Sequence, residues 1–129
     1  VTRNPKRPRR SARKAFDLAR LRESLRRFAA ARDWERYHSP KNLASALIVE
    51  AAELLERFQW LTEDESKALA PAKLAKVREE MADVLIYLVR LADMLEVDLL
   101  AAAREKMAAN ARKYPVGKAR GNSRKYSEL

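Results

Sequence analysis

Two segments, NLASALIVEAAELLERF (residues 42–58) and VREEMADVLIYLVRLADML (residues 77–95), are apolar almost all the way round a helix, yet each carries acids in its middle. A helix of that kind is buried on most faces. An unpaired buried carboxylate is costly. Whatever fold the chain adopts must therefore bring these acids to a place that relieves their charge.

Helical geometry narrows where they point. With Glu50 at zero, Leu43, Leu54 and Leu47 fall at about 20°, 40° and 60°, and Glu53 lies one turn along at about 300°. Glu56 has drifted towards a polar side. On the second segment Leu91, Val84 and Tyr87 lie within about 40° of Glu80, and Asp83 is one turn along. Glu79 points about 100° away, towards solvent. Two helices thus each offer an i, i+3 acid pair set in apolar surface. Packed antiparallel, they gather four carboxylates into one small volume, which suits a hard divalent cation with oxygen ligands, magnesium or manganese. On the residues alone two other readings stay open: solvent-facing acid pairs, or acids salt-bridged to Arg57 and Arg78.

The remainder reads as helix and connection. Residues 1–16 form a basic arm without apolar periodicity. Asp17 caps a first helix carrying Leu18, Leu21, Leu25 and Phe28. Ser39-Pro40 is a cap followed by proline in the first turn. Thr62 and Glu65 have capping-box spacing for one short turn. Pro71 opens the third main helix, and Asp98 caps a fourth from Leu99 to about Lys113, stopped by Pro115 and Gly117. Only 2 Gly and no strand-like alternation leave little for a sheet. The expectation is an all-α fold: one domain over residues 17–115, four main helices with an antiparallel helix-bundle core, and a polar tail over 116–129, loosely ordered or docked on a partner. The apolar helices offer more surface than one short chain can bury, which predicts a homo-oligomer.

The net charge of +10 belongs to the ends. Residues 1–16 hold seven Lys/Arg and no acid, 112–129 hold six against Glu128, and 17–111 hold 15 basic and 17 acidic residues. The body is slightly acidic, so the alternative of a non-catalytic helical module would bind nucleic acid through its basic ends, the arm above all. The absence of cysteine excludes disulfides and thiolate chemistry and fits a cytoplasmic setting, and a single histidine excludes a multi-histidine metal site. No run reaches the ~18 apolar residues of a transmembrane helix, and no apolar stretch of a secretory signal follows the basic start.

EAAE, then 26 residues, then EMAD resembles the ExxE…ExxD signature of the MazG-like all-α nucleotide pyrophosphohydrolases. The surroundings ARDWERYHSPKNL, ELLERFQW, EEMADVLIYLV, KMAANARKYP and SRKYSEL resemble its dCTP pyrophosphatase branch, over about residues 17–129. The resemblance implies a homotetramer, a dimer of dimers. It implies Mg²⁺-dependent hydrolysis of a deoxynucleoside triphosphate to monophosphate and pyrophosphate, with Mn²⁺ able to substitute. Glu50, Glu53, Glu80 and Asp83 match the metal-binding acids and are the expected catalytic group. Trp34, His38 and Trp60 match positions of the nucleotide pocket, and Tyr87, Lys106, Asn110 and Tyr114 match positions contacting sugar, base or phosphate. Read without it, a tryptophan at a helix end packs and a lone histidine caps. Base preference is softer than the reaction, and dUTP or several triphosphates remain alternatives.

Overall fold

The computed structural model describes residues 15–129, so nearly all of the basic arm lies outside the described residues. Six α-helices are present among them: α1 (Leu18–Ala31), α2 (Pro40–Glu56), α3 (Glu63–Lys67), α4 (Pro71–Met94), α5 (Leu99–Lys113) and α6 (Val116–Ala119). Short 3₁₀ turns cover Glu35–Tyr37 and Tyr126–Glu128. Periodicity predicts four main helices; the described residues hold six, of which α3 and α6 are short. The described residues contain no strand.

The caps explain the helix starts. Asp17 Oδ1 accepts from the Arg20 N–H at 2.9 Å, Ser39 Oγ from Asn42 at 3.2 Å, and Asp98 Oδ1 from Ala101 at 3.0 Å. Thr62 and Glu65 satisfy each other's backbone N–H groups in a full capping box. Pro71 opens α4 without a side-chain cap. Each side-chain cap fills an orphan donor of the first turn.

The ends of α1 and α4 are built alike, and without glycine. Beyond α1, Asp33 takes φ 54°; its N–H reaches the Ala30 carbonyl at 3.1 Å and that of Trp34 reaches Ala29 at 2.9 Å. Beyond α4, Glu96 also takes φ 54°; its N–H reaches Asp93 at 3.2 Å and that of Val97 reaches Ala92 at 2.8 Å. Both are Schellman motifs. The first fixes Trp34 directly at the exit of α1.

Helices α1 and α2 both pack on α4. Along α2 and the turn before it, His38 meets Arg90, Glu50 meets Asp83, and Arg57 meets Glu80. One helix therefore descends as the other rises, which is the antiparallel pairing expected. Ala29, Leu43, Val77, Val89 and Ala92 form the buried core, all from α1, α2 and α4. An ion-pair chain ties α1 to α4: Arg26 donates to both oxygens of Asp93 (2.7 and 2.5 Å), and Asp93 also accepts from Arg90 at 3.3 Å.

Helix α5 buries none of its residues, and its Met107 is 72% exposed. On α4, Met81, Leu85 and Leu88 are exposed and lie about 140–200° round from Asp83. On α2, Ile48 and Leu55 are exposed and stand about 140–160° from Glu50. The helices meet through their acidic sides and turn apolar stripes outward. The polar tail folds back on the end of α5: Tyr126 sits edge-on to Tyr114 at 6.2 Å, with Lys113 Nζ 4.9 Å from its ring centre.

Candidate active site

Where α2 crosses α4, carboxylate oxygens of Glu50, Glu80 and Asp83 lie within 4.8 Å of one another. Glu53 lies beside Glu50, whose carboxyl it helps to raise, and is not a member of that tight group. Glu80 is 7% exposed, whereas Glu56 and Glu79 face solvent, as their helical positions predict. Arg57 donates to Glu80 Oε1 from Nη2 at 2.8 Å and Nε at 3.3 Å. The salt-bridge alternative left open by the sequence thus applies to Glu80 with Arg57; Arg78 is exposed.

That single guanidinium does not relieve the cluster. Glu50 Oε2 is buried with no hydrogen-bond partner. Burial pushes the Glu50 carboxyl up to about 7, followed by the hydrogen bond its protonated form donates to Glu53 and the charges of Glu53, Asp83 and Glu80. An orphaned oxygen amid three other acids is what a hard divalent cation satisfies, so the donor set fits Mg²⁺ or Mn²⁺. Glu50, Glu80 and Asp83 would hold it, with Glu53 beside Glu50.

A cleft of about 320 Å³ opens directly against these acids. Glu50 and Asp83 form part of its wall, Trp34, His38 and Tyr87 another part, and Leu25, Phe28, Ala29, Ile86 and Arg90 the rest. Its size falls at the low end of small-molecule sites, which run from roughly 300 to 1,000 Å³. Phe28 and Trp34 meet edge to face at 5.7 Å between ring centres, and Trp34 and His38 do so at 6.5 Å. His38 Nδ1 accepts from Arg90 Nε at 3.1 Å. Burial, then the Arg90 charge, holds the imidazole below its usual range, against a smaller opposing pull from Glu35. The result is an apolar, aromatic slot with acids at one end and an arginine–histidine pair in its wall.

Of the residues read from the sequence, the structure brings Glu50, Glu53, Glu80, Asp83, Trp34, His38 and Tyr87 together. It does not bring Trp60, Lys106, Asn110 or Tyr114 to the cleft. Trp60 is 87% exposed just beyond α2, Lys106 and Asn110 are exposed on α5, and Tyr114 meets Tyr126 edge to face. Phe28 and Arg90 escaped the sequence reading. Arg90 had a signal: it lies i+7 from Asp83 and i+3 from Tyr87, a charge on the same side of an apolar helix.

Comparison with known proteins agrees with this geometry. A sequence model of the MazG-like family matches residues 46–129. Human dCTP pyrophosphatase 1 is 50% identical over 113 residues, 83% of this chain and 66% of the human protein, and the bovine protein of the same name is 47% identical over 83% and 67%. The chain thus spans about two thirds of the length of these relatives. A crystal structure of a pyrophosphatase from Archaeoglobus fulgidus superposes with a TM-score of 0.74 at 42% identity, over 82% of this chain and 99% of that one. With paired carboxylates on two antiparallel helices and a family match that includes both pairs, the chain belongs to the MazG-like family.

Proposed function

We propose that this chain is a Mg²⁺-dependent nucleoside triphosphate pyrophosphohydrolase that converts dCTP, or a modified dCTP, to dCMP and pyrophosphate, clearing unwanted triphosphates from the cytoplasmic nucleotide pool. The observation that carries it is the partnerless buried oxygen of Glu50, set among Glu53, Glu80 and Asp83 at the mouth of an aromatic cleft. The names and identities of the mammalian relatives support the substrate.

Held by Glu50, Glu80 and Asp83, a Mg²⁺ ion would supply charge neutralisation for the triphosphate and polarisation of the phosphorus under attack. The chain's own groups do the rest. Glu50, Glu80 and Asp83 fix the triphosphate end of the site. Glu53 accepts a proton from the attacking water, whose oxygen bonds to the α-phosphorus while pyrophosphate departs with the electrons of the broken P–O bond. Trp34 and Phe28 offer ring surface to the base, a contact worth about 1–3 kcal/mol in comparable stacking sites. Tyr87, on the acids' side of α4, closes the slot where the sugar lies.

The assembly belongs to the same proposal. A homotetramer built as a dimer of dimers covers the exposed stripes of Ile48, Leu55, Met81, Leu85 and Leu88 and gives α5 a partner. Trp60, Lys106, Asn110 and Tyr114 join the substrate site only in that assembled form. Size in solution tests this part, and a monomer would overturn it.

The activity is tested with dCTP and Mg²⁺. dCMP and pyrophosphate are expected in equal amounts, and Glu50→Gln should lower turnover by ~100-fold or more, the scale of losing one preorganised charge-stabilising group. Release of orthophosphate alone, or full turnover by Glu50→Gln, would refute the assignment. A panel with dUTP and other triphosphates decides the base.

A further inference from the structure

We propose that Arg90 is a positioning residue for the cleft: it holds the His38 imidazole neutral, with Nδ1 as acceptor, so that the Nε2–H is the donor offered to an acceptor atom of the bound nucleotide. This rests on the proposed function insofar as the cleft binds a nucleotide. The placement of the ring proton does not depend on it.

A guanidinium has N–H donors and no acceptor. Its Nε donates to His38 Nδ1 at 3.1 Å, so that nitrogen carries no proton and the neutral ring bears its hydrogen on Nε2. Trp34 lies edge to face against the same ring. Arg90 has little freedom to let go. It is 5% exposed, and its Nη1 donates to Asp93 at 3.3 Å. Asp93 is itself held by both a 2.7 Å and a 2.5 Å bond from Arg26 on α1. The chain Arg26–Asp93–Arg90–His38 therefore spans α1, α4 and the turn before α2, and ends on one ring in the cleft wall. Neither His38 nor Arg90 belongs to the carboxylate group, so their effect falls on binding and orientation more than on the chemical step.

The chain has one histidine, so its imidazole nitrogens give a single set of signals in long-range ¹H–¹⁵N spectra. Wild type should show Nδ1 unprotonated and Nε2 protonated at neutral pH. Arg90→Met should turn this into a tautomer mixture. With dCTP, KM should rise ~5–10-fold while kcat changes by less than about threefold, the size of one lost hydrogen bond in binding. His38→Asn should raise KM similarly, and the double variant should add little to either single change. Arg90→Lys keeps a charge beside Asp93 but lacks the planar fork; if Arg90→Met fails to fold, this variant carries the test and should also show mixed tautomers. An unchanged Nε2–H tautomer in both Arg90 variants would overturn the proposal, as would additive KM effects in the cycle. If no triphosphate is turned over, the functional reading fails, and the spectra still decide what Arg90 does.

Discussion

Arg57 holds Glu80 by two N–H donors on one carboxylate oxygen, at the rim of the group that also contains Glu50 and Asp83. The guanidinium competes with any cation for Glu80. Replacing it with methionine leaves an acid that is 7% exposed without its counter-charge. Arg57→Met should therefore unfold at lower urea in EDTA than wild type, recover most of the difference in saturating Mg²⁺, and bind Mg²⁺ several-fold more tightly by calorimetry. Equal losses with and without the cation would show that Arg57 acts through packing alone.

The raised Glu50 carboxyl makes a signed prediction about pH. Its folded value, about 7, lies above the ordinary 4.5, so the folded state binds the proton more tightly than the unfolded chain. Its contribution is fully present below about 4.5 and is lost as pH rises through about 7. His38, held below 6.5, tilts the other way, favouring the fold above 6.5. Asp93, depressed chiefly by its bond from Arg26, favours the fold above its ordinary 3.8 and gives that up only at lower pH. In EDTA, wild type should thus gain stability relative to Glu50→Gln as pH falls from 7 to 4.5, and saturating Mg²⁺ should erase that difference. A difference that ignores pH would place Glu50 in an ordinary solvated setting.

A second stability effect resides in the backbone. Glu96 adopts a left-handed conformation with φ 54° to close α4, where glycine carries no Cβ penalty. Glu96→Gly should stabilise the protein by about 0.5–1 kcal/mol, and Glu96→Val should destabilise it by a similar or larger amount. Reversible urea unfolding separates the two, and opposite signs are the decisive result.

The helices were legible because their signals are local. Asp17, Ser39, Thr62 with Glu65, and Asp98 all cap where their spacing puts them, and the apolar context of Glu50 and Asp83 pointed to facing helices. The two Schellman ends were not legible, because Asp33 and Glu96 fill positions that glycine usually marks. Arg90 was missed for another reason: a lone arginine in an apolar stretch gives its position on the helix, and its partner His38 is 52 residues away. Trp60, Lys106, Asn110 and Tyr114 entered through the family resemblance and lie away from the cleft. Periodicity tells which side chains share a helix face, and it carries no information on which faces meet.

On the proposed assembly, which covers the exposed apolar stripes on α2 and α4, stability depends on amount. A state held together by association is favoured by mass action, so its thermal midpoint should rise with protein concentration. Leu85→Glu, placed on the outward stripe of α4, should abolish that dependence and lower the midpoint. A midpoint independent of concentration over a hundredfold range would refute assembly as the source of burial.

Glu80, Asp83, Tyr87, Arg90 and Asp93 all come from one uninterrupted helix, so their spacing is a length of roughly 20 Å set at about 1.5 Å per residue. A single inserted residue between Asp83 and Arg90 would turn everything beyond it by about 100° and carry the histidine's anchor away from the carboxylates. The register of this stretch is as constrained as its chemistry. Insertions and deletions should be accepted in the 57–70 connection and refused between Glu80 and Asp93, which makes α4 the ruler against which the rest of the site is measured.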